Sequence, residues 1–137
     1  MWIDVGAHLG ETTLHEAQGD SKLLVYAFEP NLEAAAKRIG FLQNFVVIPM
    51  AVWEADGYIG FHVNAYDMAS SVLPMSPVGL KKWRGGDELQ RIDRKVCVPA
   101  IRLDTFMKLM KITDLDFLKI DAQGADLAVV KSLGYKR

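Results

Sequence analysis

The chain has a single cysteine, Cys97, among its 137 residues. A lone thiol excludes an internal disulfide and a cysteine-built metal site, and it fits a reducing compartment. An excess of charge of one sign is also missing: 16 Lys and Arg face 17 Asp and Glu, for a formal net charge of -1. That balance gives no general attraction to nucleic acid or to an anionic membrane. Long apolar runs are absent too. The longest, Phe45 to Trp53, is broken by Pro49 and falls far short of the ~20 residues that a membrane helix needs. Met1 leads straight into Trp2-Ile3-Asp4, which is no signal peptide, so the cytoplasm is the expected location. What remains is 50% apolar, enough to build the core of one domain over residues 1–137.

The most telling stretch is Ile3-Asp4-Val5-Gly6-Ala7-His8-Leu9-Gly10. An apolar strand ends in a carboxylate and breaks into a loop with glycines four apart, and a helix follows. A second strand-like run, Leu23 to Phe28, closes on Glu29. This is the pattern of an adenosine-cofactor site at the first turn of a doubly wound sheet. Gly6 and Gly10 are expected to let backbone approach a ligand with no Cβ between. Glu29 is expected to accept hydrogen bonds from two ribose hydroxyls, because an ionised carboxylate only accepts. The dinucleotide fingerprint G-x-G-x-x-G would seat a pyrophosphate on the helix start. Here His8 stands where its second glycine belongs, which points to S-adenosylmethionine before NAD. An ordinary strand-to-helix turn is the plain alternative for the loop alone.

Strands and helices alternate through the first half: a strand at 1–5, a helix near 11–18, a strand near 23–28, and a helix from Leu32 to Arg38 capped by Asn31. Gly40 is a helix stop. Phe45 to Met50 reads as a parallel strand buried on both faces. Glu54-Ala55-Asp56-Gly57 is a turn signal between Ala51-Val52-Trp53 and the alternating Tyr58 to Val63, which predicts a β-hairpin inserted after strand 3. Residues 65–92 lack periodicity and read as a long loop. Val96 to Ile101 is a strand placed near an edge by Pro99. Asp104 is expected to cap a short helix, Thr105 to Lys111. A strand at Phe117 to Asp121 and a helix at Ala125 to Leu133 complete the pattern.

Right-handed crossovers carry the first three strands out in one direction. With the 117–121 strand on the other side of strand 1, the order reverses there. The expected architecture is therefore an α/β, doubly wound, mostly parallel sheet with helices on both faces. Its ligand crevice lies where Asp4, the Gly6–Gly10 loop, Glu29 and Asp121 converge.

Several segments resemble the FkbM-type family of S-adenosylmethionine-dependent methyltransferases, which are Rossmann-like. They are Asp4 to Thr13; Tyr26-Ala27-Phe28-Glu29-Pro30-Asn31; Ala51-Val52 with Asp56-Gly57; Ser70-Ser71-Val72-Leu73; Ile101-Arg102-Leu103-Asp104; and Leu118 to Asp126, in the family's order. The resemblance implies methylation of a hydroxyl oxygen on a sugar or natural product, with S-adenosylmethionine as cofactor and a small molecule as acceptor. Carried over by position, it implies that Gly6, Ala7 and Gly10 line the cofactor's amino-acid end while Asp4 supports the loop. His8 and Thr13 belong to the same loop. Glu29 holds the ribose with Pro30 and Asn31 nearby, Ser71 reaches the cofactor or acceptor, and Asp121 sits beside the methyl donor. The family usually has Asn where His8 stands. Its last motif usually reads Asp-x-Glu-Gly-x-Glu, against Asp121-Ala122-Gln123-Gly124-Ala125-Asp126 here. Gln123 cannot take a proton.

Family members also carry residues before the first strand and three strands after the last helix seen here. The expectation is a truncated member, a cofactor-binding fragment being the alternative to an active enzyme and an NAD-dependent oxidoreductase the third reading. The 117–121 strand would then be an apolar edge through which two copies could pair. Asp121 is the candidate catalytic residue, as base or as the group that orients the acceptor, with a structural carboxylate as the alternative. His8 is a second base candidate or a hydrogen-bonding filler; His15 and His62 read as surface residues. The basic cluster of Lys81-Lys82-Trp83-Arg84, Arg91, Arg94 and Lys95 reads as a solvated loop before a nucleic-acid contact.

Overall fold

A computed structural model of the chain describes residues 1–74 and 92–134. Its elements are β1 (Trp2–Val5), α1 (Leu14–Gly19), β2 (Val25–Phe28), α2 (Leu32–Ala36), β3 (Phe45–Ile48), β4 (Ala51–Val52), β5 (Gly57–Asn64), β6 (Ile92–Ile101), α3 (Leu103–Leu109), β7 (Phe117–Ile120) and α4 (Asp126–Lys131). A 3-10 turn, Asp67–Ala69, follows β5. Four strands form an all-parallel sheet in the order β3-β2-β1-β7, so the order reverses at β1. This is the Rossmann-like α/β arrangement that the alternating pattern predicts.

In register, Ile3 and Val5 of β1 stand beside Tyr26 and Phe28 of β2 and share one face. That face packs beneath α3 and α4 through Leu103, Phe106 and Val129, with Phe106 set edge-on to Tyr26 and Phe28 at 5.2 and 4.9 Å. Fully burying a side chain of this size stabilises the fold by roughly 1.5–3 kcal/mol. The opposite face packs Val25, Ala27 and Phe45 against Leu14 and Ala17 of α1. Helices thus cover both faces. Asn31 caps α2, its side-chain oxygen accepting the Glu33 N–H at 3.1 Å.

Four expectations need correction. β4 and β5 do not form a hairpin: β5 pairs antiparallel with β6, and β4 lies parallel to β6 on its other side, giving a second sheet of order β4-β6-β5. The Glu54–Gly57 turn is real, but it hands the chain past β6 instead of folding it back on itself. Pro99 sits in the middle strand of that sheet, opposite Tyr58, where β4 reaches only Ala100 and Ile101. Its missing N–H therefore costs no bond to β4. β3 is an edge strand with Val46 exposed, not one buried on both faces. Asp104 lies in the first turn of α3, whose N-cap is Arg102. The Asp104 carboxylate instead takes a two-pronged contact from that guanidinium, at 2.8 and 2.7 Å.

β6 starts at Ile92, so only part of the expected 65–92 loop falls among the described residues. Lys81-Lys82-Trp83-Arg84 and Arg91 lie outside them; Arg94 and Lys95 are exposed, and Arg94 pairs with Glu33 of α2. His15 is exposed, but His62 is half-buried with its Nδ1 shielded from solvent and without a hydrogen-bond partner. β7 does form an edge of the main sheet, with Phe117 exposed. Among the described residues no helix is long and apolar enough to cross a membrane.

Candidate active site

The strand order reverses at β1, and a cleft partly open to solvent lies at that point. One wall comes from the carboxyl ends of the main sheet: Val5, Gly6, Phe28, Glu29 and Asp121. The other comes from the second sheet and the segment after it: Val52, Phe61, Met68 and Ser71.

Glu29 follows β2 directly and is almost fully buried in the cleft wall. One carboxylate oxygen accepts the Asn31 N–H at 2.7 Å and the other accepts the His8 N–H at 2.7 Å. Burial raises this carboxyl above its ordinary value, and the two backbone N–H groups pull the other way without cancelling it. Each oxygen still has a lone pair to offer a ligand hydroxyl.

His8 adopts φ +47°, the left-handed region in which Asn, Asp and His are enriched. Its Nδ1 lies 2.6 Å from Glu11 Oε1. Burial alone would push Glu11 up, but hydrogen bonds from His8 and from backbone hold its carboxyl below the ordinary value.

Across the cleft, Asp121 is exposed at the mouth, and its Oδ1 accepts the Gln123 side-chain amide at 3.1 Å. The Ser71 hydroxyl donates to the Gln123 carbonyl at 3.0 Å, tying the second sheet's wall to the loop after β7. Among the described residues no cluster of His, Cys, Asp and Glu could hold a metal ion.

Residues 4–137 match the family model described as the methyltransferase FkbM domain. The chain belongs to the FkbM methyltransferase family. It is also similar to the 2-O-methyltransferase NoeI of Sinorhizobium fredii (strain NBRC 101917 / NGR234), with 24% identity over 139 residues, covering 93% of this chain and 55% of that protein. The chain thus spans about half the length of this curated relative. No solved structure matches it.

Within this FkbM domain, Gly6, His8, Glu29, Pro30, Ser71 and Asp121 all line the cleft. Asp4, Ala7, Gly10 and Thr13 do not. Asp4 is fully buried beneath the loop, where it accepts the Thr13 hydroxyl at 2.6 Å. These two residues brace the loop from beneath and do not line the cleft. Ala7 packs into the core beside α1. The two glycines also answer to the packing of the chain. A Cβ on Gly6 (φ +74°) would stand 2.0 Å from the Asp121 carbonyl oxygen, and one on Gly10 would meet Leu14 and Phe45 at 2.9 and 3.0 Å. Both make room for the chain itself, and Gly6 also lines the cleft.

Lys119 escaped the sequence reading although it lines the cleft of this domain. The one signal was a lysine inside an otherwise apolar strand, Phe117-Leu118-Lys119-Ile120. The apolar wall of Phe28, Met50, Phe61 and Met68 gave no signal, because an apolar residue in a chain that is half apolar reads as core.

Proposed function

We propose that the cleft binds S-adenosylmethionine and that the domain methylates a hydroxyl oxygen of a small molecule, a sugar or natural product. The observation that carries this reading is Glu29. It is a buried carboxylate at the exit of β2, held by two backbone N–H groups and facing a cleft at the sheet's switch point. Such a group is built to accept paired hydroxyl donors, as a ribose presents. When bound, the cofactor supplies an electrophilic methyl group on a sulfonium. The chain's own part is to hold and align the reactants and to exclude water with Phe28, Phe61 and Met50. Asp121, exposed at the mouth and steadied by Gln123, is the group to orient an acceptor hydroxyl or take its proton. The name of the relative, a 2-O-methyltransferase, supports oxygen as the acceptor atom.

Calorimetry with S-adenosylmethionine, S-adenosylhomocysteine and NAD tests the reading. The first two are expected to bind and NAD is not; the reverse order overturns the methyl-donor assignment. Glu29→Ala is expected to weaken S-adenosylhomocysteine by about 10- to 100-fold, the effect of removing hydrogen bonds to a charged group. Unchanged affinity in that variant refutes the ribose role.

A further inference from the structure

Lys119 pairs in register with Asp4 across β7 and β1, so both side chains stand on the α1 face of the sheet. Its Nζ lies 2.9 Å from Asp4 Oδ1 and donates to the Gly6 carbonyl at 2.7 Å. An ammonium has three N–H donors. Only the bond to Gly6 is a hydrogen bond; the Asp4 contact is an ion pair whose Oδ1 accepts none. Donors of the ammonium therefore have no hydrogen-bond partner among the described residues, and Lys119 lines the cleft. Among the described residues that do so, it is also the sole lysine or arginine. Asp4 and Gly6 fix the direction of the ammonium, and the Asp4 charge offsets its own. The group is thus a directed donor of charge-assisted hydrogen bonds, not a loose cation.

We infer that Lys119 recognises the carboxylate at the amino-acid end of the bound methyl donor and so selects ligands that carry one. The inference rests on the methyl-donor reading of the cleft. β1 separates β2 from β7, so the backbones bearing Glu29 and Lys119 are two strand spacings, about 10 Å, apart. An elongated ligand lying across β1, with its ribose at Glu29, therefore presents its other end to Lys119.

The test compares three ligands by calorimetry: S-adenosylhomocysteine, its decarboxylated analogue, and 5′-methylthioadenosine, which lacks the whole amino-acid end. The natural chain is expected to prefer S-adenosylhomocysteine to both others by about 10-fold or more. Lys119→Met is expected to remove that preference while leaving 5′-methylthioadenosine affinity within about 3-fold. Because Lys119→Met strands a buried Asp4, the double variant Asp4→Asn/Lys119→Met, which removes both charges together, is measured beside it. Equal binding of S-adenosylhomocysteine and the decarboxylated analogue by the natural chain overturns the proposal, whatever the variants do. A parallel loss of all three ligands in the variants also overturns it, since that marks a purely structural lysine. If the natural chain binds none of the three, the methyl-donor reading itself has failed.

Discussion

The Glu29 carboxyl is raised by burial, against the pull of the His8 and Asn31 N–H groups. Its folded value therefore lies above the ordinary 4.5. In the ligand-free protein a raised carboxyl contributes stability that is fully present below the unfolded value and is lost as pH rises through the folded one. Ligand binding runs the opposite way, because a ribose needs the ionised, acceptor-only form. Affinity for S-adenosylhomocysteine is thus expected to fall as pH drops through the raised Glu29 value. Calorimetry across that range checks this: the acid limb is present in the natural chain and missing in Glu29→Ala. A limb that survives the substitution assigns the titration to another group. The place of Glu29 in the cleft wall was legible from sequence, since a carboxylate closes the second strand-like run. That its oxygens would already hold two backbone N–H groups was not. One of those bonds comes from His8 at φ +47°, a conformation that no spacing announces.

Among the elements, those coded by their own residues were the readable ones. β1, β2 and β7 are short apolar runs ending in turn residues, and their parallel pairing follows from the helices between them. α2 announced its start through Asn31. Replacing that cap, Asn31→Ala, is expected to lower stability by about 1 kcal/mol. For a chain of this size that is a fall in Tm of roughly 4 °C, measured by thermal unfolding. The backbone N–H of Asn31 still reaches Glu29 in this variant, so S-adenosylhomocysteine affinity is expected to hold. A variant that loses binding with its Tm unchanged would place Asn31 in the site and not in the helix. The misread elements were those whose partner is distant. The Glu54–Gly57 turn has the chemistry of a hairpin, yet β5 finds its partner in β6, beyond the residues that follow it. Local turn chemistry fixes where a strand starts; it does not fix which strand lies beside it.

At the scale of the molecule, the cleft belongs to two sheets, and this explains why only half of it was visible in the sequence. The main sheet supplies Gly6, Glu29 and Asp121, all marked by motif. The second sheet supplies Val52 and Phe61, with Met68 and Ser71 from the segment behind them; of these only Ser71 was marked by motif, and they become a wall only after β4 and β6 pair at Ala51–Ala100. A ligand that touches both walls binds the folded chain and not the unfolded one. By linkage, S-adenosylhomocysteine at 100 times its Kd is expected to add about 2.7 kcal/mol, which raises Tm by roughly 10 °C. Met68 tests whether the second wall takes part. It is 43% exposed while lining the cleft, so Met68→Ala removes ligand contact without opening the core. The free variant is expected to melt at the natural Tm. At the same ligand concentration its rise is expected to be about a third smaller, the loss of roughly 1 kcal/mol of apolar contact. A full rise in Met68→Ala would confine binding to the main sheet, leaving the second wall free for the acceptor.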